Sequence, residues 1–341
     1  MAKFSIQQIK KNPYRFFLLK LAIFLVIVIA LDFAAGSVLR YFYFKQESGL
    51  LYRTTYSIEK TTADVLVIGS SRATYHYIPV TFEKELNLTF YNAGHIGSSI
   101  LYHTAILKSV LTRYTPKIVI LDFNANEISK MQYSYDQLSS LQPYYKSHPE
   151  IRSTVELRSK FEKLKMWSSI YPYNSSLFTI AIGNTEFNKK RRGDIQGFIP
   201  LTKVWNEPLQ PDTQTINSDM DNYKIKAYET FIQLCKQSQI KLFIVCSPYF
   251  VKSKGENCSL KLAKEIAKRN NIAFFDHSTD TIFTHNQILF TDIDHLNENG
   301  AKIFSNMVRD DVSNVLGTLS KETLSALPAG YVKKSKADAK N

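Results

Sequence analysis

The feature that most constrains this chain is a repeated alternation between short apolar runs and stretches carrying apolar residues at three- and four-residue spacing. The runs fall at residues 64–69, 88–92, 117–122, 240–246 and 272–276, bounded by polar or turn-forming residues. Val65-Leu66-Val67-Ile68 and Phe243-Ile244-Val245 show no polar alternation, the pattern of strands covered on both faces. The helical stretches fall at 98–113, 223–238, 260–270 and 299–316. Strand alternating with helix predicts an α/β architecture, a parallel sheet with helices on both faces. In such sheets reactive groups gather at the carboxyl ends of the strands.

The chain has 341 residues, 44% of them apolar, enough for one elaborated domain with accessory segments. The alternation is broken between about residues 128 and 216, too long for a structureless loop inside a domain. Helical character over 152–167 predicts an inserted cap beside the strand ends. Its aromatics, including Tyr133, Tyr144, Trp167 and Trp205, suit either stacking on sugar rings or filling a small local core, with the core the commoner outcome.

Residues 16–39 are mostly apolar and follow Lys3, Lys10, Lys11 and Arg15, the pattern of a signal-anchor transmembrane helix. Its charge-free heart is shorter than the roughly 20 residues a span needs, so Lys20 and Asp32 belong towards opposite interfaces. Ala34-Ala35-Gly36 offers a signal-peptide cleavage site, but the apolar pattern runs on through Leu39 to Tyr41-Phe42-Tyr43 and favours an uncleaved anchor. The positive flank puts residues 1–15 in the cytoplasm. A linker over 40–62, a domain over 63–316 and a basic, mobile tail over 317–341 then lie outside, periplasmic or extracellular, with the lipid bilayer as a partner.

An excess of 43 Lys and Arg over 30 Asp and Glu gives a net charge of +13. It is concentrated in Lys189-Lys190-Arg191-Arg192 and in the tail, segments that more often face solvent or membrane. No helix-turn-helix, zinc-finger or single-strand-binding signature accompanies it, so nucleic acid is not an expected partner. Cys235, Cys246 and Cys258 show no metal-knuckle or paired spacing, although an exported domain could still close one bridge.

Two motifs more than two hundred residues apart carry chemistry. Gly69-Ser70-Ser71-Arg72 follows the first strand, and Asp292-Ile293-Asp294-His295 precedes the last helix. A serine is a poor nucleophile until a base accepts its proton, and that base needs a partner to fix its tautomer. Asn92-Ala93-Gly94-His95-Ile96-Gly97 follows the second strand and Asn124-Ala125-Asn126-Glu127 the third. Taken singly, each has a bland reading, as a turn or a capping residue. Asp292, Asp294 and His295 are too few ligands for an oxygen-rich metal site, and no metal is expected.

Four such blocks in this order resemble the SGNH (GDSL-type) hydrolase superfamily, over about residues 63–128 and 217–316. The resemblance implies a three-layer sandwich with a five-stranded parallel, flavodoxin-like sheet and no cofactor. It makes Ser71 the nucleophile, His295 the general base and Asp292 its orienting carboxylate. The Ser71 and Gly97 N–H groups and the Asn126 side chain then form an oxyanion hole, with Gly97 chosen because it lacks a side chain. Arg72, His95 and Glu127 are possible substrate-binding residues, Arg72 either pairing with Glu127 or holding an anionic group. The blocks depart from the common pattern, with Gly-Ser-Ser-Arg for Gly-Asp-Ser-Leu and Asn-Ala-Asn-Glu for Gly-x-Asn-Asp. Both departures are similar to the membrane-anchored branch that includes the D-alanine transfer protein and exopolysaccharide O-acylation proteins. The function so implied is a serine esterase or O-acyltransferase acting on acyl, expectedly acetyl, esters of a cell-envelope glycan. The alternative is a catalytically silent accessory or glycan-binding protein that works with a membrane-bound O-acyltransferase.

Overall fold

The computed structural model describes residues 12–185, 193–207, 219–251 and 257–318. The basic run 189–192 and the tail from 319 lie outside them. Five strands form: β1 Val65–Ile68, β2 Phe90–Asn92, β3 Ile118–Asp122, β4 Lys241–Cys246 and β5 Ala273–Asp276. All pairings are parallel, in the order β2-β1-β3-β4-β5. Each strand falls within an expected apolar run, because only continuous apolar segments can be buried on both faces of a sheet.

The helices are α1 Pro13–Phe44, α2 Gly49–Thr55, α3 Ser71–His76, α4 Pro79–Leu86, α5 Ile100–Leu111, α6 Leu177–Gly183, α7 Asn222–Gln237, α8 Cys258–Arg269 and α9 Glu298–Thr318, with shorter turns between. The pleat sends Leu66, Ile68, Val119, Leu121 and Ile244 to one face, where α5, α7 and α8 cover them. Val65, Val67, Ile118, Ile120 and Phe243 point to the other, against Phe82 of α4 and Phe304 and Val308 of α9. This is a three-layer α/β sandwich. Its strand order reverses direction at β1, so the loops after β1 and β3 diverge and leave a crevice at the carboxyl edge of the sheet.

Three expectations are corrected. The N-terminal helix runs on to Phe44, past the expected end at 39, and its C-terminal part packs against the domain, with Gly36 and Tyr43 buried. Residues 40–62 are not a linker. They continue as α2 and a π turn, Tyr56–Lys60, and they bury Leu51, Arg53 and Ile58. Finally, the helix expected over 152–167 breaks into Arg152–Glu156 and Glu162–Lys165. The break follows from Glu162, which is buried and accepts from Ser159 Oγ (2.7 Å), Tyr171 Oη (3.0 Å) and the Gln142 amide. Turning that carboxylate inward to three donors costs less than leaving it unsatisfied in an unbroken helix.

The insertion is closed at its neck, where Ser129 bridges Met220 and Lys130 N–H donates to the Asp219 carbonyl. Its first part, to about residue 184, packs mostly on α5 and on the C-terminal third of α1 rather than beside the strand ends. Its second part crosses the β2 edge, with Asn92 N–H on the Gln196 carbonyl and Ile199 N–H on the Thr74 carbonyl, while Tyr133 of the first part lies against the Gly97 turn. Its aromatics divide: Tyr144 and Tyr173 surround Tyr43 and Trp205 packs edge-on against Phe250, whereas Tyr133 and Trp167 are exposed.

Candidate active site

β1 ends at Ile68, and Gly69-Ser70 turns the chain into α3, whose first residue is Ser71. A Cβ at Gly69 would stand 2.8 Å from the Cβ atoms of Ala73 and Asp122, so only glycine lets the turn pass so close to β3. Across the crevice, Phe290 and Leu296 form a short antiparallel bridge whose loop holds Asp292 and His295. His295 Nε2 lies 2.8 Å from Ser71 Oγ, and His295 Nδ1 lies 2.9 and 3.0 Å from the two oxygens of Asp292. Residues 224 positions apart thus meet in a continuous Ser–His–Asp chain of hydrogen bonds.

Asp292 also accepts from the N–H groups of Asp294 (2.8 Å) and His295 (2.9 Å). Partial burial raises its pKa, but the His295 ring and these backbone donors outweigh that and hold the carboxyl below its usual value. An ionised Asp292 accepts from Nδ1–H, which leaves the Nε2 lone pair facing the serine hydroxyl. Tyr75 meets the imidazole edge-on at 5.2 Å and limits its tilt.

The remaining site residues fall into two groups. Gly97 adopts φ +75°, the left-handed region that favours glycine, and Tyr133 Oη would lie 2.5 Å from a Cβ there. Its loop is tied to the Gly69-Ser70 turn by His95 N–H donating to the Gly69 carbonyl at 2.9 Å. The Asn126 side-chain oxygen accepts from Asn257 Nδ2 at 3.2 Å. Ala125 N–H, one residue earlier, donates to Tyr249 Oη at 2.9 Å, and the Arg72 guanidinium lies 3.9 Å over the Tyr249 ring. The loops after β1, β2 and β3 therefore stand side by side at one edge of the sheet.

Arg72, His95 and Glu127, expected at the substrate, are all buried. Arg72 neither pairs with Glu127 nor faces solvent. It donates to the carbonyls of Asp294 (3.0 Å), Ser247 (2.7 Å) and Pro248, joining α3 to the loop that holds His295. His95 stacks on Tyr102 at 4.5 Å, and burial lowers its pKa to about 4. Glu127 stands 3.4 Å from His103 Nδ1, and burial raises its pKa far above the usual carboxylate range despite Lys224 nearby. His103 in turn bonds Ser98 Oγ at 2.9 Å, beneath the Gly97 turn. The motif neighbours of the site residues thus form its foundations, because short loops leave alternate side chains no direction but inward.

Sequence alone did not reveal His76 or Arg53. His76 Nε2 accepts from Leu296 N–H at 3.0 Å, fixing the backbone next to His295, and burial, with the Arg72 guanidinium nearby, pushes its pKa well below the usual value. Its position five residues after Ser71 carries no recognisable signal. Arg53, from α2, donates to the carbonyls of Gly94 (3.0 Å) and Gly197 (2.6 Å) and so ties the segment after α1 to the β2 loop. A cleft of about 340 Å³ opens on the Asp292–His295 flank, lined by Tyr75, Leu201, Lys203, Trp205, Glu207 and Thr291.

Fold and site together define an α/β sandwich with a Ser–His–Asp arrangement at the carboxyl edge of its parallel sheet. Neither a protein-family model nor a curated protein matches the sequence. Among solved structures, an acetyl xylan esterase is 14% identical, with a TM-score of 0.38 over 74% of this chain and 98% of that one. A "putative acylhydrolase" of Bacteroides fragilis is 12% identical, with a TM-score of 0.37 over 80% and 99%.

Proposed function

We propose that this protein is a serine esterase or O-acyltransferase, anchored in the cell membrane by α1 with its catalytic domain outside. Its substrates are acyl esters, acetyl first among them, of a cell-envelope glycan. The observation that carries the chemistry is the approach of His295 Nε2 to 2.8 Å from Ser71 Oγ, with Asp292 on the other ring nitrogen. The four-block resemblance to the SGNH hydrolases supports the choice of ester bonds. The apolar exterior of α1, with a mean hydropathy of 2.7 over its best window, supports the anchor.

His295 takes the Ser71 proton as Oγ attacks the ester carbonyl. The oxyanion forms towards the N–H groups of Ser71 and Gly97 and the Asn126 amide, whose removal singly costs roughly a hundred- to thousand-fold in such sites. Collapse passes the proton from His295 to the departing alkoxide and leaves acyl-Ser71. Water, or a glycan hydroxyl, then gives up a proton to His295 and attacks the acyl carbon, regenerating Ser71. The flank cleft, with Tyr75 beside Lys203 and Glu207, has aromatic and polar groups that suit a sugar acceptor.

Ser71→Ala and His295→Ala in the full-length membrane protein are each expected to abolish labelling by a fluorophosphonate probe, with turnover down by up to roughly a million-fold. Adduct formation followed by mass, with a simple acetyl ester and with acetylated and unacetylated glycans, separates the outcomes. Acyl-Ser71 that passes to water marks an esterase, passage to glycan marks a transferase, and no adduct at all would sink the catalytic reading in favour of a silent accessory protein.

A further inference from the structure

We propose that the insertion carries a second membrane contact: an apolar face of Phe161, Leu164, Trp167, Leu177 and Phe178 that lies in the interfacial layer of the bilayer α1 enters. The inference rests on reading α1 as a spanning helix. Counted back from Asp32 at 1.5 Å per residue, a hydrocarbon layer of about 30 Å takes in α1 from about Pro13, with Lys20 and Arg15 snorkelling towards the opposite interface. Asp32 marks where the hydrocarbon ends. Its carboxylate accepts from Ser168 Oγ (2.5 Å), Ser169 N–H (2.6 Å) and Ile170 N–H (3.3 Å). Gly36, one turn on, lets the Ser169 backbone approach so closely that a Cβ would stand 2.4 Å from it. The 168–170 turn is therefore fixed at the depth of Asp32, and Trp167 adjoins it in sequence.

Trp167 is 79% exposed and Phe178 78%, in a domain whose other tryptophan is buried. Phe161, Leu164 and Trp167 recur every three residues and share one side of their turns, while α6 brings Leu177 and Phe178 alongside α1, with Asn184 Nδ2 on the Phe42 carbonyl at 2.9 Å. Five large apolar side chains exposed within eighteen residues, on segments that reach α1, exceed the scattered exposure of an ordinary surface. Charge selects lipid as the occupant. Lys160, Lys163 and Lys165 are exposed around the face, whereas Glu162, the sole acid between Leu157 and Trp167, is turned wholly inward. Exposed lysines around aromatic and aliphatic side chains match an anionic headgroup layer over acyl chains. A single helix leaves a domain free to swivel, and this second contact fixes the orientation of the site to the membrane.

The test uses the full-length protein in nanodiscs containing anionic lipid, with and without bromine at shallow acyl positions. The chain has two tryptophans, so Trp205→Phe leaves Trp167 as reporter and Trp167→Phe leaves Trp205. Trp167 emission is expected to be blue-shifted, to lose most of its intensity to brominated lipid and to resist aqueous acrylamide, while Trp205 ignores the bromine. Quenching by acrylamide alone, or shielding from both quenchers as under a second protein chain, overturns the proposal. A nitroxide at Phe178→Cys in a Cys258→Ser background, where the two other cysteines are buried, gives an independent depth reading should Trp205→Phe not fold. Alkaline extraction of the same membranes separates the two inferences. Release of the chain defeats the spanning helix, whereas retention with Trp167 in water defeats only the second contact.

Discussion

The guanidinium of Arg72 makes its bonds to three carbonyls from a single planar fork while stacking on Tyr249. One of those carbonyls belongs to Asp294, between Asp292 and His295, so the residue after Ser71 helps set where His295 stands. An ammonium is a compact point charge that cannot reproduce a fork and a stack together. Arg72→Lys is therefore expected to orphan at least one buried carbonyl, lowering stability by about 1–3 kcal/mol. It should also slow fluorophosphonate labelling of Ser71 more than it weakens substrate binding, read by denaturant melts and labelling rates. A variant as stable and as reactive as the wild type would remove Arg72 from the positioning framework. That Ser71, Asp292 and His295 belong together was legible from the order of their motifs, and the structure brings the three side chains into contact. The inward direction of Arg72, His95 and Glu127 was not, because it depends on which loops stand behind them.

At the scale of elements, the π turn Tyr56–Lys60 is joined to the insertion by His148, whose ring nitrogens lie 2.8 Å from Glu59 and 2.6 Å from Glu150. Burial disfavours the charged ring, but the two carboxylates outweigh it and raise the His148 pKa from 6.5 to about 9. Because the folded value exceeds the unfolded one, the stabilisation is fully present below pH 6.5 and is lost as pH rises through about 9. Glu59 and Glu150, held below their usual values, contribute in the opposite sense and lose their share on acidification. The thermal midpoint is expected to fall between pH 6.5 and about 9 in the wild type and to flatten in His148→Gln. Equal slopes in the two proteins would rule out this clasp. All five strands were readable from their apolar runs, unbroken where the strand is buried on both faces and kept even in β5, which is half-buried at the sheet edge. The break in the 152–167 helix was not, because it is made by Gln142 and Tyr171, residues outside that stretch.

For the whole molecule, the C-terminal third of α1 belongs to the domain: Tyr43 is 1% exposed, packed among Tyr144 and Tyr173. Gly36→Leu would drive a side chain into the Ser169 backbone, which cannot yield as a flexible side chain would. The variant should remain in the membrane fraction, since the span is untouched, yet its insertion should be cut by protease faster than in the wild type. Unchanged proteolysis would show that the insertion does not depend on the helix. The sequence by itself determined the parallel α/β class, the apolar helix and the grouping of the serine, histidine and aspartate, because each leaves a local or periodic mark in the order of residues. Tertiary structure alone decided that residues 40–62 are core, that the insertion braces α1, and that the motif neighbours Arg72, His95 and Glu127 point inward. Each of these depends on side chains separated by tens to hundreds of residues, brought together by burial and by the need of every buried donor and acceptor for a partner.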